Sequence, residues 1–222
     1  MGDGTKGDLA YRGIRDLILS GKLAAGDIIP QREIAAGLGI STTPLREGLR
    51  RLESEGLITL ESHRTARVTE LRLEQARDLL EIRRSLDPLA ASLAAERRTR
   101  EDIAAIRECG TKLRALPVNA TVDELIAHRR FHRSIYCASH NELLIGTLDT
   151  LWDKADRYRM MALKIDRGQQ ARDLKDKEHR LLVQYIAAGD SSSAAKVMLH
   201  HIDTSLVVEA ISRLASGRDL AS

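Results

Sequence analysis

The sequence predicts a mainly α-helical protein, with an N-terminal winged helix-turn-helix followed by an all-α antiparallel helical bundle. Three observations carry this. Apolar residues recur at helical spacing over most of the 222 residues. Aromatic residues make up only 3%, while Ala, Leu, Ile, Arg and Glu abound, a bias towards helices packed on aliphatic side chains. Two short strand-like runs follow directly on three short helical patterns and have no counterpart later in the chain.

The first helical pattern runs from about Leu9 to Leu19, with Ile14, Leu17 and Ile18 on one stripe, and Gly21 and Ala24-Ala25-Gly26-Asp27 end it. Met1–Gly7 is polar and Gly-rich and is expected to be a loose tail. Ile28-Ile29-Pro30 leads into a second helix, about Gln31 to Gly37, and Gly39 suits the tight turn that follows. Ser41 or Thr42 is placed to cap a third helix that runs to about Glu55, where Gly56 stops it. Leu57–Leu60 and Ala66–Thr69 then read as two strands around the turn Glu61–Thr65. Three short helices and a hairpin form the layout of a winged helix-turn-helix over residues 8–70.

From about residue 71 to 222 the pattern is helical throughout. Six segments are expected, near 74–97, 100–115, 121–138, 141–165, 171–188 and 191–215, separated by breaks such as Leu116-Pro117-Val118-Asn119 and Gly189-Asp190. Short connections imply antiparallel neighbours.

A formal net charge of +3 argues little for nucleic acid by itself, so the case must rest on where charges sit. Cys109 and Cys137 lack metal-type spacing and are expected to be reduced thiols. No apolar run approaches a membrane span and no signal peptide opens the chain, so a cytoplasmic protein without a membrane partner is expected.

The third helix turns Leu45, Leu49 and Leu52 inward and Arg46, Arg50 and Arg51 outward. Those arginines can simply solvate the helix. The preceding short helix and Gly-containing turn instead favour a recognition helix in the major groove. Ser41, Thr42 and Thr43 stand at its positive end, and Arg46 lies in the turns that reach base edges.

The stretch from Ile14 to Val68, with LILSGKLAAGDII and QREIAAGLGISTTPLREGLRRLESEGLI, resembles the DNA-binding domain of the GntR family of bacterial regulators. The resemblance implies DNA contacts from Arg32, Ser41, Thr43 and Arg46, with Arg50 on the backbone. Thr42 stands where the family usually has Arg, and Thr65 where the wing turn usually has Gly. His63, Arg64 and Arg67 are further candidates for phosphate or minor-groove contact.

Four of the seven histidines form a pattern. His128 and His132 share a helix face with Leu125 and Ile135, and His179 shares a stripe with Leu182 and Ile186. His179 precedes the turn at Gly189-Asp190 by about as many residues as His201 follows it. Across an antiparallel hairpin the two lie level, some 15–17 Å from the turn at a rise of about 1.5 Å per residue. A single inward histidine is ordinarily a satisfied core residue, but four converging imidazoles would leave several buried nitrogens in need of partners. Imidazole is a good ligand for a divalent transition metal, zinc or nickel above all.

The segments LLEIRRSLDPLAASLAA, HRRFHRSIYCASHNELL and EHRLLVQYIAAGDSSSAAKVMLHHI are similar to the effector domain of the FadR-type subfamily, the FCD domain. Many such domains hold a divalent metal through one Asp and three His. The resemblance places His132, His179 and His201 on the histidine positions and His128 on the Asp position. It also places Arg83 near the effector pocket, where it would meet a carboxylate. An i,i+4 pair with Asp87 is the equal alternative, and Asn141 is expected to cap its helix, with a pocket role secondary.

The function expected is therefore a DNA-binding transcriptional regulator, a homodimeric repressor of operator DNA controlled by a small-molecule effector, a carboxylate beside the metal. The alternatives are a metal-sensing repressor and a regulator with a metal-free pocket. A metal-dependent hydrolase fits worst. His128-Arg129-Arg130-Phe131-His132 lacks the Glu beside its first His that activates water, and Glu178 points about 100° away from His179 around its helix. No catalytic residues are expected.

Overall fold

A computed structural model of the chain describes residues 5–62, 65–164 and 166–216. The contacts divide the chain into two compact units that meet between Leu71 and Arg72. The first holds α1 (Lys6–Leu19), α2 (Gln31–Gly37), α3 (Thr42–Ser54), β1 (Ile58–Ser62) and β2 (Thr65–Val68). The expected tail is shorter than Met1–Gly7, because a capping box starts α1 early. Thr5 Oγ1 accepts from the Asp8 amide at 3.1 Å, and the Asp8 carboxylate accepts from the Thr5 amide at 3.0 Å.

α1 packs on α3 at close range. A Cβ on Gly48 would lie 2.7 Å from the Tyr11 backbone nitrogen, so a side chain there would force the two helices apart. Around this crossing Ala10, Ile14, Ile18, Leu45, Leu49 and Leu52 form an aliphatic core. Each fully buried Leu contributes about 1.5–3 kcal/mol. Gly39 takes φ 63° in the turn between α2 and α3. The hairpin pairs Ile58 with Val68 and Leu60 with Ala66, is bulged between Leu60 and Ser62, and is extended by an isolated bridge from Ile28 to Arg67.

In the second unit the described helices are α4 (Leu73–Arg97), α5 (Arg100–Lys112), α6 (Val122–Cys137), α7 (Glu142–Ala162), α8 (Gly168–Ala188), α9 (Ser191–Asp203) and α10 (Leu206–Ala215). α4 is the central member and packs on α6, α7, α8, α9 and α10. Ala90, Ala91, Ala94 and Ala95 are all fully buried, and their small side chains let neighbouring helices approach. Capping boxes at Thr99/Asp102 and Thr121/Glu124 start α5 and α6, and Gly189, in the left-handed region at φ 81°, ends α8.

Several boundaries differ from expectation: α7 ends at Ala162 and not near 165, and α8 begins at Gly168 and not near 171. α5 ends at Lys112, where Leu113 turns to extended backbone, and not near 115. The single helix expected over 191–215 is broken at Thr204-Ser205. Basic side chains take the carbonyls that would have continued it: Lys175 Nζ donates to the His201 carbonyl at 3.0 Å, and Arg167 Nη2 to the Thr204 carbonyl at 3.1 Å. The Ser205 amide turns to Ile202 and the Val208 amide to Ser205, so the chain tightens for one turn before α10.

Candidate functional site

α6, α8 and α9 bring His128, His132, His179 and His201 to one point inside the second unit. All four are buried, and one ligating atom from each can be chosen so that the set lies within 4.8 Å of one another. Ring centroids are 4.8 Å apart for His128 and His132, 4.8 Å for His179 and His201, and 5.0 Å for His132 and His201. The i,i+4 spacing on α6 and the level placement across the α8–α9 hairpin account for the convergence.

Burial, repulsion from Arg159 and the other histidines hold the His128 imidazole well below its ordinary value. Burial and the neighbouring imidazoles do the same for His132, and burial, His201 and Lys175 for His179. All are therefore neutral near pH 7, with lone pairs available. His128 Nδ1 and both ring nitrogens of His132 and of His179 have no hydrogen-bond partner among the described residues. Five orphaned buried nitrogens fit a bound cation better than a packed core. The all-nitrogen donor set suits a divalent transition ion.

His201 is held differently. Its Nδ1 meets Glu178 Oε2 at 2.7 Å, leaving Nε2 for the cluster. The same oxygen accepts from Lys175 Nζ at 2.8 Å. Burial by itself would raise the Glu178 carboxyl, but these two bonds outweigh it and bring it down to about 2. Glu178 thus gives the cluster an orienting carboxylate one bond removed from the ligating atoms. The helical-wheel angle places it away from His179, yet that direction leads to α9 and His201.

A cavity opens beside the cluster. His128, His179 and His201 line it together with Arg159, Arg167, Arg172 and Lys175. The Arg159 guanidinium stacks on the Trp152 ring at 4.0 Å and donates to Asp156 at 2.9 Å. Burial, with repulsion from Arg83, lowers its pKa to about 10. Arg159, Arg167, Arg172 and Lys175 are the cavity residues that sequence reasoning missed, since nothing in their neighbours along the chain marks them.

Arg83 is not among the residues lining this cavity. Its guanidinium grips Asp87 through Nε at 3.1 Å and Nη2 at 2.8 Å, and Tyr136 Oη donates to the same carboxylate at 2.6 Å. The i,i+4 pairing with Asp87 is therefore the arrangement present. Asn141 is the N-cap of α7, its Oδ1 accepting from the Leu144 amide at 3.2 Å, and it too lies outside the cavity lining.

In the first unit Arg32, Ser41, Thr42, Thr43, Arg46 and Arg50 are all exposed. Ser41 occupies the N-cap position of α3 without a side-chain cap, so its hydroxyl is not committed to the helix end. Arg67 is committed: Nη1 donates to the Gly26 carbonyl at 2.6 Å and Nε to Glu61 at 2.9 Å, holding the hairpin to the loop before α2. His63 and Arg64 lie outside the described residues.

No helix among the described residues is long and apolar enough to cross a membrane. Residues 7–68 match the model of bacterial regulatory proteins of the gntR family, and residues 78–204 match the FCD domain. The Glc operon transcriptional activator of Escherichia coli is 33% identical over 166 residues, 66% of this chain and 65% of its own length. The transcriptional repressor GlaR of Escherichia coli is 25% identical over 89% of this chain and 93% of its own. A probable D-xylose utilization operon transcriptional repressor of Paenarthrobacter nicotinovorans is 29% identical over 85% of this chain and 84% of its own. Among solved structures, Escherichia coli McbR/YncC superposes with a TM-score of 0.78 at 22% identity, covering 98% of this chain and all of the other, a likeness of fold. The chain belongs to the gntR family of bacterial regulatory proteins and carries an FCD domain as its second unit.

Proposed function

We propose that the chain is a cytoplasmic, sequence-specific transcriptional repressor. Residues 8–70 would grip double-stranded operator DNA, and residues 71–222 would dimerise and bind a small organic acid beside a divalent transition ion, zinc or nickel. The observation that carries this reading is the buried four-imidazole cluster opening onto a basic cavity, in a chain that begins with a winged helix-turn-helix.

His128, His132, His179 and His201 would hold the ion, with Glu178 fixing the His201 tautomer. A bound dication supplies a positive, directional anchor for a carboxylate oxygen. Arg159 donates to the same carboxylate from the cavity wall. On DNA, Ser41, Thr42 and Thr43 would bond phosphates, Arg46 would read base edges, and Arg32 and Arg50 would position the helix. A homodimer would set two α3 helices in successive major grooves, about 34 Å apart. The acid shifts DNA binding only by favouring one dimer arrangement over the other.

Elemental analysis of the purified protein and of His132→Ala and His179→Ala tests the metal. The expected result is about one ion per chain, lost in both variants. No ion, even after zinc or nickel is added, overturns the metal assignment. Selection from random duplexes tests the head, and failure to enrich an inverted repeat overturns the operator reading. A metal-sensing repressor is favoured by one feature, a donor set without carboxylate, and it predicts that metal alone changes DNA affinity.

A further inference from the structure

The cavity that opens on the histidine cluster has a lopsided wall. Four cationic side chains, Arg159, Arg167, Arg172 and Lys175, line it, and no Asp or Glu does among the described residues. The carboxylates that partner these cations are not part of the lining: Asp156 on Arg159 at 2.9 Å, Asp166 on Arg172 at 2.6 Å and Glu178 on Lys175 at 2.8 Å. One carboxylate seated at the cluster can meet Arg159, which leaves the rest of the positive wall without a ligand partner.

The cations are not equally available. Lys175 is tied three ways, to Glu178, to the His201 carbonyl and to Thr204 Oγ1, and it serves the fold of the α9–α10 break. Arg172 is held by Gln169 and by Asp166, whose side chain is 63% exposed. A surface ion pair of that kind is weak and readily exchanged for a better-placed anion. Arg167 makes a bond to the Thr204 carbonyl through Nη2, and its guanidinium carries further donors.

On α8, Arg172 and His179 are seven residues apart, so they share one stripe with an axial separation of about 10.5 Å. Leu116, Val118, Leu163 and Leu206 supply apolar wall in the same cavity.

We propose that the ligand of this cavity carries two anionic groups, one at each end of a linear, mostly apolar chain. The first group is held at the histidine cluster and Arg159. The second is held by Arg172, with Arg167 beside it. This rests on the organic-acid reading given above and narrows it to α,ω-dicarboxylates and acids with a terminal phosphate, which present the same charge at the second position.

Isothermal titration of the metal-loaded full chain at fixed ionic strength tests it. The probes are succinate, glutarate and adipate against butyrate, valerate and hexanoate, with 3-phosphoglycerate as the phosphate arm. A charge-assisted pair at the second position is expected to make one diacid about 10–100-fold tighter than its matched monoacid. Arg172→Gln is expected to bring that diacid down towards the monoacid. Preference for 3-phosphoglycerate over every dicarboxylate supports the dianion and identifies its second group as phosphate. Equal binding of diacids and monoacids in the unaltered protein overturns the proposal and leaves the organic-acid reading standing. Binding of none of the probes overturns both.

Discussion

The two units differ in where their candidate functional groups lie, exposed in the first and buried in the second. In the first, the core is aliphatic apart from Tyr11, and Arg32, Ser41, Thr42, Thr43, Arg46 and Arg50 stand outside it. In the second, the groups of interest are in the core. Every buried polar or charged side chain among the described residues belongs to this unit, including Arg83, Asp87, Arg159, Glu178 and the four clustered histidines. The difference teaches that stability and recognition are separable in the DNA-binding unit and joined in the FCD domain. An exposed side chain lost from α3 leaves its core intact, while a buried polar one lost from the bundle leaves its partner unsatisfied.

Asp87→Ala should have the largest effect. It strands the Arg83 guanidinium, which is only 2% exposed, and removes the acceptor of Tyr136 Oη. Breaking such a buried pair costs about 3–5 kcal/mol, read as a shift in the urea transition of the FCD domain. An unchanged transition would deny that buried polar pairing matters there.

Metal removal comes next. If the cluster holds an ion, a chelator should destabilise the FCD domain by about 3–4 kcal/mol at an ion concentration several hundred times its dissociation constant. Calorimetry should show that transition moving down while that of the DNA-binding unit stays. Equal movement of both would break the separation argued above.

Arg46→Ala should weaken operator binding by about 1–3 kcal/mol and relax selection at one base position. Its stability should change by no more than about 0.5 kcal/mol, because the side chain is exposed. A large loss of stability would show that α3 is not a free reading surface. Asn141→Ala should be the smallest, about 1 kcal/mol from the lost α7 cap, with effector affinity unmoved. A change in effector affinity would return Asn141 to the pocket.

The first unit was legible almost element by element, because its turns are marked by Gly21, Gly39 and Gly56 and its helices by clean apolar stripes. The early start of α1 also had a signal, the Thr5-Lys6-Gly7-Asp8 box, which composition obscured. In the second unit the convergence of four histidines followed from helical rise and a single turn. What surrounds them did not. The break at Thr204-Ser205 depends on Lys175 and Arg167, some thirty residues earlier in the chain, reaching carbonyls on another helix. Glu178 looks misdirected on its own helix and acquires a role only once α9 packs against it. Arg83 had two equal partners on paper, and only its burial beside Asp87 shows which one it meets inside the folded chain.

Trp152 is the chain's sole tryptophan, and its ring centroid lies 4.9 Å from that of His132 and 5.6 Å from that of His128. The DNA-binding unit contributes no indole at all, so the near-ultraviolet emission excited at long wavelength comes from one buried ring at the back of the histidine cluster. A paramagnetic ion held by those imidazoles sits within quenching range of it, and a ligand that shifts the stacked Arg159 changes its polarity. Trp152 would therefore report occupancy of the cluster without a label and without a contribution from the first unit.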